Sequence, residues 1–425
     1  MSVPDLVVRN ALWMGDLVDV MVQEGHILGV APSMPDADRH GGHTLDAKGL
    51  MLLPSCVDAH VHLREPGFEY KEDIASGLRA AAHGGIGHVM AMANTSPVND
   101  DSSVTDLMLG QARKHHPHGP FLHPIGALTR DLKGEQLAPM AELAKAGCVA
   151  FSNDGQPVLN SEYFRRAMEY ADTIGKVVID HCEDPFMAPA AGMNEGAVSS
   201  RLGLRGQPWA SEAAQVARDI LLAEYLGIPI HLAHISCIGS LNLIREAKAR
   251  GVKVTAETCP HYLFLTEEAV EGYNTAAKVN PPLRTRADLE AMREAIKDGT
   301  IDILATDHAP HASHEKEVEF QDAPCGISGL DTALSQTYSL VRDGLLDMQR
   351  FVELWCYAPA DIFGLRVCHF LPGDPAEFCL FDPDAKWTVS PETMCSKGKN
   401  TPLLGHELQG RVVHHYMSGV EVLNK

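Results

Sequence analysis

Two histidines, His60 and His62, stand one residue apart in the stretch DAHVHLREPG, directly after the apolar run GLMLLPSCV. On an extended strand, residues i and i+2 point the same way, so both imidazoles can converge on one cation. Further apolar runs end in the same fashion: HVMAMAN at Asn94, CVAFSND at Asp154, VVIDH at His181, IPIHLAH at His234 and DILATD at Asp307. His181 and His234 offer neutral imidazoles for a second ion. Two divalent ions roughly 3.5–4 Å apart repel, and an anionic oxygen between them offsets that, a place that suits Asp154. Asp307 can bind a metal and also take a proton from a bridging water. Hydroxide formed between two metals near neutral pH is the usual nucleophile for amide and ester hydrolysis. Four histidines and two aspartates suit Zn2+ best, one or two per chain, with Mn2+ or Co2+ as substitutes. Each residue also has a plainer reading: a polar pair in a turn for His60 and His62, hydrogen-bonded structural histidines for His181 and His234, a turn residue for Asp154 in NDG. Their shared place at run ends favours the metal. His231 is out of phase with His234 on its strand and reads as structural.

What must position these groups is a sheet whose strands all end on one side. Eight short apolar runs, at 53–60, 88–94, 121–128, 148–154, 177–181, 228–234, 252–258 and 302–307, alternate with amphipathic helical stretches such as SEYFRRAMEYADTIG and ADLEAMREAIKDG. Continuous apolar strands alternating with helices indicate a parallel sheet covered on its outer face. Eight such units over about 300 residues have the size of a (β/α)8 TIM-type barrel, whose sites lie at the C-terminal strand ends. An open doubly wound sheet is the alternative, but no GxGxxG follows the first run. The two ends of the chain differ: DLVVRNALWM and LVDVMVQEGHILGVAP near the start, and AEFCLFDPDAKWTV and LQGRVVHHYMSGVEVL near the finish, show period-two alternation. The expected organisation is therefore α/β: a barrel over 53–365, with a small β-sandwich domain built from 1–52 and 366–425.

Composition narrows the partners. The chain has 425 residues and a formal net charge of −21, which argues against nucleic acid and anionic membrane surfaces. An anionic substrate would then need a few locally placed cations and amides. No apolar run approaches the ~20 residues of a membrane span, and the N-terminus reads as a strand rather than a signal peptide. The ten cysteines are scattered without a CxxC pair, as expected of buried free thiols in a reducing cytoplasm.

The stretches DAHVHLREPGFEYKEDIASG, NTSPVND, ETCPHYL, KVNPPLR and DILATDHAPH, in that order between about residues 50 and 335, together resemble dihydroorotases of the amidohydrolase superfamily. The resemblance implies reversible hydrolysis of (S)-dihydroorotate to N-carbamoyl-L-aspartate in pyrimidine (UMP) synthesis. It implies that His60, His62 and Asp307 hold one zinc and His181 and His234 another, with Asp154 bridging and Asp307 as catalytic base and acid. Arg64, Asn94 and His311 would grip the substrate carboxylate, and Asn280 and the backbone near Cys325 and Gly326 would contact the ring. A homodimer and a complex with aspartate transcarbamoylase are further expectations. Many relatives use a carboxylated lysine on the fourth strand. Residues 148–154 contain none, and Lys145 falls in the preceding helix, which places the chain with the class that uses aspartate. Ala93, where proline is usual, and the form PCGISGLDT around Cys325 depart from the pattern. Two competing readings are a hydantoinase, dihydropyrimidinase or allantoinase type of cyclic amidohydrolase, and an inactive scaffold for the transcarbamoylase. The first has no use for a carboxylate clamp; the second is expected to lack ligands that this chain keeps.

Overall fold

A computed structural model describes residues 4–32, 42–187 and 192–423, so both outermost limits of the expected small domain lie outside the described residues. Five strands come first: β1 (Leu6–Trp13), β2 (Asp16–Gln23), β3 (His26–Ala31), β4 (His43–Asp46) and β5 (Met51–Pro54). Eight parallel strands follow: β6 (Cys56–Val61), β7 (Ile86–Ala91), β8 (Phe121–Ala127), β9 (Ala150–Ser152), β10 (Val177–Asp180), β11 (Ile230–Leu232), β12 (Val254–Thr258) and β13 (Ile303–Leu304). They pair in chain order with helices between, the (β/α)8 arrangement expected from the sequence. The ring closes without a β13–β6 ladder. His308 bridges Val61 on one side and Ile327 on the other, and the His62 amide donates to the His308 carbonyl at 2.8 Å.

The chain returns to the first sheet with β14 (Phe378–Thr388), β15 (Glu407–Met417) and β16 (Val420–Glu421). In the order β16-β15-β14-β5-β1-β2-β3, with β4 on β1, strands from both ends of the chain make one eight-stranded sheet. Strand alternation gives this sheet two jobs. Leu52, Phe378, Leu380 and Tyr416 pack into its own core with Val8, Val20 and Ile27. Leu53, Cys379, Phe381 and Met417, one residue out of phase, pack into the core between barrel and helices. No helix among the described residues is long and apolar enough to cross a membrane. All ten cysteines are free, eight of them buried, as the scattered spacing predicts.

Candidate metal and substrate site

The predicted ligands converge at the C-terminal ends of the barrel strands. His60 and His62 come from the end of β6, and Asp154, His181, His234 and Asp307 from the residues after β9, β10, β11 and β13. His62 Nε2 lies 3.1 Å from Asp307 Oδ1 and 3.5 Å from Asp154 Oδ2. His60 Nε2 lies 3.3 Å from Asp154 Oδ1 and 3.6 Å from Asp307 Oδ1. His181 Nδ1 is 2.8 Å from His234 Nε2, and both stand about the Asp154 carboxylate at 3.5 and 3.6 Å. Among the predicted ligands, two three-residue groups bring their donor atoms within one ion's reach: His60, His62 and Asp307, and His60, Asp154 and His234. Asp307 (φ 45°) and His234 (φ 34°) adopt left-handed backbone conformations, as does Arg64 (φ 62°). For non-glycine residues that is strain, which the surrounding fold must hold in place.

The orientation of the rings tests whether a metal fits. A ligating imidazole donates its outer N–H to an oxygen and turns its other nitrogen's lone pair inward. His60 Nδ1 donates to Glu257 Oε1 at 2.7 Å, His62 Nδ1 to Asn94 Oδ1 at 2.9 Å, and His181 Nε2 to Glu183 Oε2 at 2.9 Å. Each thereby turns its inner nitrogen towards the carboxylates, where a bound cation would take the place of that nitrogen's proton. His60 Nε2 and His234 Nδ1 are buried without a hydrogen-bond partner. Burial alone would push the Asp154 and Asp307 carboxyls up. The charge of His60 and hydrogen bonds from His181 and His234 outweigh it at Asp154, which is held well below the usual range. At Asp307 the His62 hydrogen bond and the His60 charge hold the group at about 2. A buried anionic pair ringed by inward-facing imidazole nitrogens has the donor chemistry of a cation site.

The predicted substrate residues line the same cavity, of about 260 Å3: Arg64, Asn94, Asn280, His311, Cys325 and Gly326 all face it, together with every predicted ligand except His60, which lies behind. Arg64 is oriented by donation from Nε to the Pro310 carbonyl at 3.2 Å. Asn94 stays in place although Ala93 replaces the usual proline, because the Thr95 and Asn99 amides both bond the Ala93 carbonyl. His311 is more committed than the sequence suggests. Its Nε2 can only donate to the Cys325 carbonyl, 2.9 Å away, while Nδ1 faces Lys71 Nζ at 3.4 Å. Burial and the nearby Arg64, Lys316 and Lys71 cations lower its pKa to about 3, so the ring is neutral with one N–H already engaged. Gly326 (φ 149°) packs so closely on the Ala309 carbonyl that a Cβ would stand 2.5 Å from that oxygen.

Sequence reasoning missed Glu257 and Glu183. Glu257, at the end of β12, accepts from His60 and also from His231 Nε2 at 3.1 Å. His231 therefore stays off the cavity, as expected, but braces a candidate ligand through one carboxylate. Glu183 accepts from His181 and from Asn280 Nδ2 at 2.8 Å. An acid inside the apolar run VKVTAET was the available signal for Glu257. Asp58 and Glu65 are structural: Asp58 accepts from the Thr306 amide and hydroxyl, and Glu65 from the Ile74 amide. Lys145 is exposed on the helix Met140–Ala146, away from the site.

The chain is similar to known proteins along nearly its whole length. A family model described as dihydro-orotase-like matches residues 49–240. The dihydroorotase of Geobacter metallireducens is 48% identical over 412 residues, 96% of each chain. That of Citrifermentans bemidjiense is 49% identical over 402 residues, 95% of this chain and 94% of the other. Among solved structures, the L-hydantoinase of Arthrobacter aurescens superposes with a TM-score of 0.86 at 24% identity, covering 99% of this chain and 96% of that one. The dihydropyrimidinase of Brevibacillus agri gives 0.83 at 22%, covering 98% and 94%. The structural likeness carries the fold alone. The sequence identity along nearly the whole chain carries more: this protein belongs to the dihydroorotase family.

Proposed function

We propose that the chain is a dihydroorotase, interconverting (S)-dihydroorotate and N-carbamoyl-L-aspartate in pyrimidine biosynthesis. The observation that carries this is one cavity lined by convergent imidazoles and carboxylates and by the Arg64 guanidinium, in a chain 48% identical to a dihydroorotase. In this reading His60, His62 and Asp307 would hold one ion and His181 and His234 a second, with the Asp154 carboxylate shared between them. Zinc suits these donors, with manganese or cobalt as substitutes. Divalent ions held there would acidify an attacking water and polarise the scissile carbonyl. Asp307 accepts the proton of that water and delivers it to the departing ring nitrogen. Arg64 pairs with the substrate carboxylate, which a hydantoin lacks, and Asn94 Nδ2 adds a directional donor. His311 joins them once its N–H leaves the Cys325 carbonyl. Asn280 and the Cys325–Gly326 backbone border the ring.

The test uses purified, zinc-supplemented protein: metal per chain and turnover in both directions, with Asp154→Ala alongside. Turnover with up to two metals per chain, lost in the variant, is expected. Bound metal without turnover of dihydroorotate would overturn the substrate assignment. We infer also a cytoplasmic homodimer that can associate with aspartate transcarbamoylase, checked by light scattering with and without that enzyme, and domain limits at 52/53 and 365/366, checked by limited proteolysis.

A further inference from the structure

The substrate side of the cavity is held from a distant part of the chain. Between β14 and β15 the segment 395–400, CSKGKN, runs into the barrel mouth. Asn400 is buried there, and its side chain uses both donors and both acceptor positions. Nδ2 donates to the carbonyls of Ala309 (3.0 Å) and Gly326 (2.9 Å), while Oδ1 accepts from the His311 amide (2.8 Å) and the Ser328 hydroxyl (2.9 Å). Gly398 presses on the same loop: a Cβ there would stand 2.5 Å from Pro310 Cβ and 2.9 Å from the His311 nitrogen. The Pro310 carbonyl is the one that orients Arg64. On its other flank the segment is moored to the loop that follows Arg64. The Ser396 hydroxyl and Lys397 amide bond Glu72, and Lys397 Nζ reaches the Asp73 carboxylate.

We propose that residues 396–400 form a strap that positions the substrate-carboxylate grip, with Asn400 and Gly398 as positioning residues acting through Pro310, His311 and Arg64. The proposal rests on the dihydroorotase reading for the identity of the bound carboxylate. Only a side chain with two donors and two acceptors can satisfy two carbonyls, an amide and a hydroxyl at once, and the Asn amide has that inventory. Aspartate would set carboxylate oxygens against the Ala309 and Gly326 carbonyls and leave both unsatisfied. A methyl group at 398 would force Pro310 and His311 to shift, and with them the carbonyl that orients Arg64. Among the described residues, none of the hydrogen bonds of 396–400 goes to a proposed metal ligand, so the strap governs substrate binding and leaves metal loading alone.

Wild type, Asn400→Asp, Gly398→Ala and Ser328→Ala are compared for zinc per chain, kcat and KM in both directions, and for amide hydrogen exchange. For Asn400→Asp and Gly398→Ala, KM for dihydroorotate and for N-carbamoyl-L-aspartate is expected to rise about tenfold or more. Their kcat should stay within about threefold, with zinc unchanged. Ser328→Ala, which removes one donor, should raise KM about two- to fivefold and carries the test if Asn400→Asp does not fold. Unchanged KM in folded variants, or zinc and kcat falling together at constant KM, would overturn the strap. A wild type that fails to turn over dihydroorotate would instead sink the functional reading. The strap is then judged by exchange: faster exchange at 309–311 and 326–328, with the ends of β10 and β11 unchanged, supports it, and uniform exchange overturns it.

Discussion

The barrel holds two buried groups of histidines, one at each end. At the C-terminal mouth, His60, His62, His181 and His234 surround Asp154 and Asp307, and two ring nitrogens have no hydrogen-bond partner. Near the N-terminal floor, His88 lies 3.0 Å from His123 Nε2 through Nδ1 and 3.0 Å from Glu377 Oε2 through Nε2. Close by, His415 bonds the Ser55 hydroxyl and the Ala82 carbonyl, each at 2.8 Å. Both groups are buried and rich in imidazole, yet at the floor the ring nitrogens of His88 and His415 are all engaged by the protein. Histidine content does not distinguish a cation site from a structural network. Convergent carboxylates, with imidazole nitrogens turned towards them, do.

The largest effect that could break this contrast comes from paired substitutions. Asp154→Ala at the mouth should lower turnover at least ~10^3-fold and reduce bound metal. His88→Asn at the floor should leave turnover within about twofold while lowering Tm by several degrees. Comparable losses of activity in both would erase the distinction. Next in size, Glu257→Gln should weaken metal binding roughly 10–100-fold, since His60 loses the carboxylate that fixes its ring. Competition with a chelator measures it, and unchanged affinity would reduce Glu257 to a packing role. Smaller still, Arg64→Lys should raise KM for dihydroorotate about tenfold, because an ammonium cannot reproduce the guanidinium fork.

The smallest effect belongs to the floor and to pH. Burial lowers the pKa of His415 from its ordinary 6.5 to about 4. Above pH 6.5 the ring is neutral folded and unfolded, so it carries no penalty. As pH falls from 6.5 towards 4, the unfolded chain takes up a proton that the folded one refuses, and stability drops, by roughly 2 kcal/mol at pH 5. His415→Gln should therefore flatten the acid limb of a Tm-against-pH curve. An unaltered slope would show that other groups control it.

The convergence of the candidate ligands was legible in the sequence because each interrupts an apolar run at or near its end, a short-range signal repeated strand after strand. The barrel followed from the same rhythm. Glu257 left only a weak signal, an acid inside an apolar run, and its role was hidden because its partner His60 is 197 residues away. The N–H of His311 was hidden for a different reason, since it is committed by a backbone carbonyl, which no side-chain pattern reveals. Period-two alternation exposed the terminal sheet but not that both its faces are covered, because either face alone reads as a core.

The closure of the ring has a mechanical consequence. The first and last strands meet without a ladder, through the His308 bridge and the hydrogen bonds from Thr306 to Asp58, and the residues beside that bridge are His62 and Asp307, whose side chains approach to 3.1 Å. An ion shared by those two groups would act as a clasp across the weakest point of the hoop. Loading would then tighten the whole circumference, and stripping would let it gape first at the mouth. The His62 amide, which donates across the joint, is the natural gauge: its hydrogen exchange should quicken when metal is chelated, ahead of amides in the middle of β7 and β8.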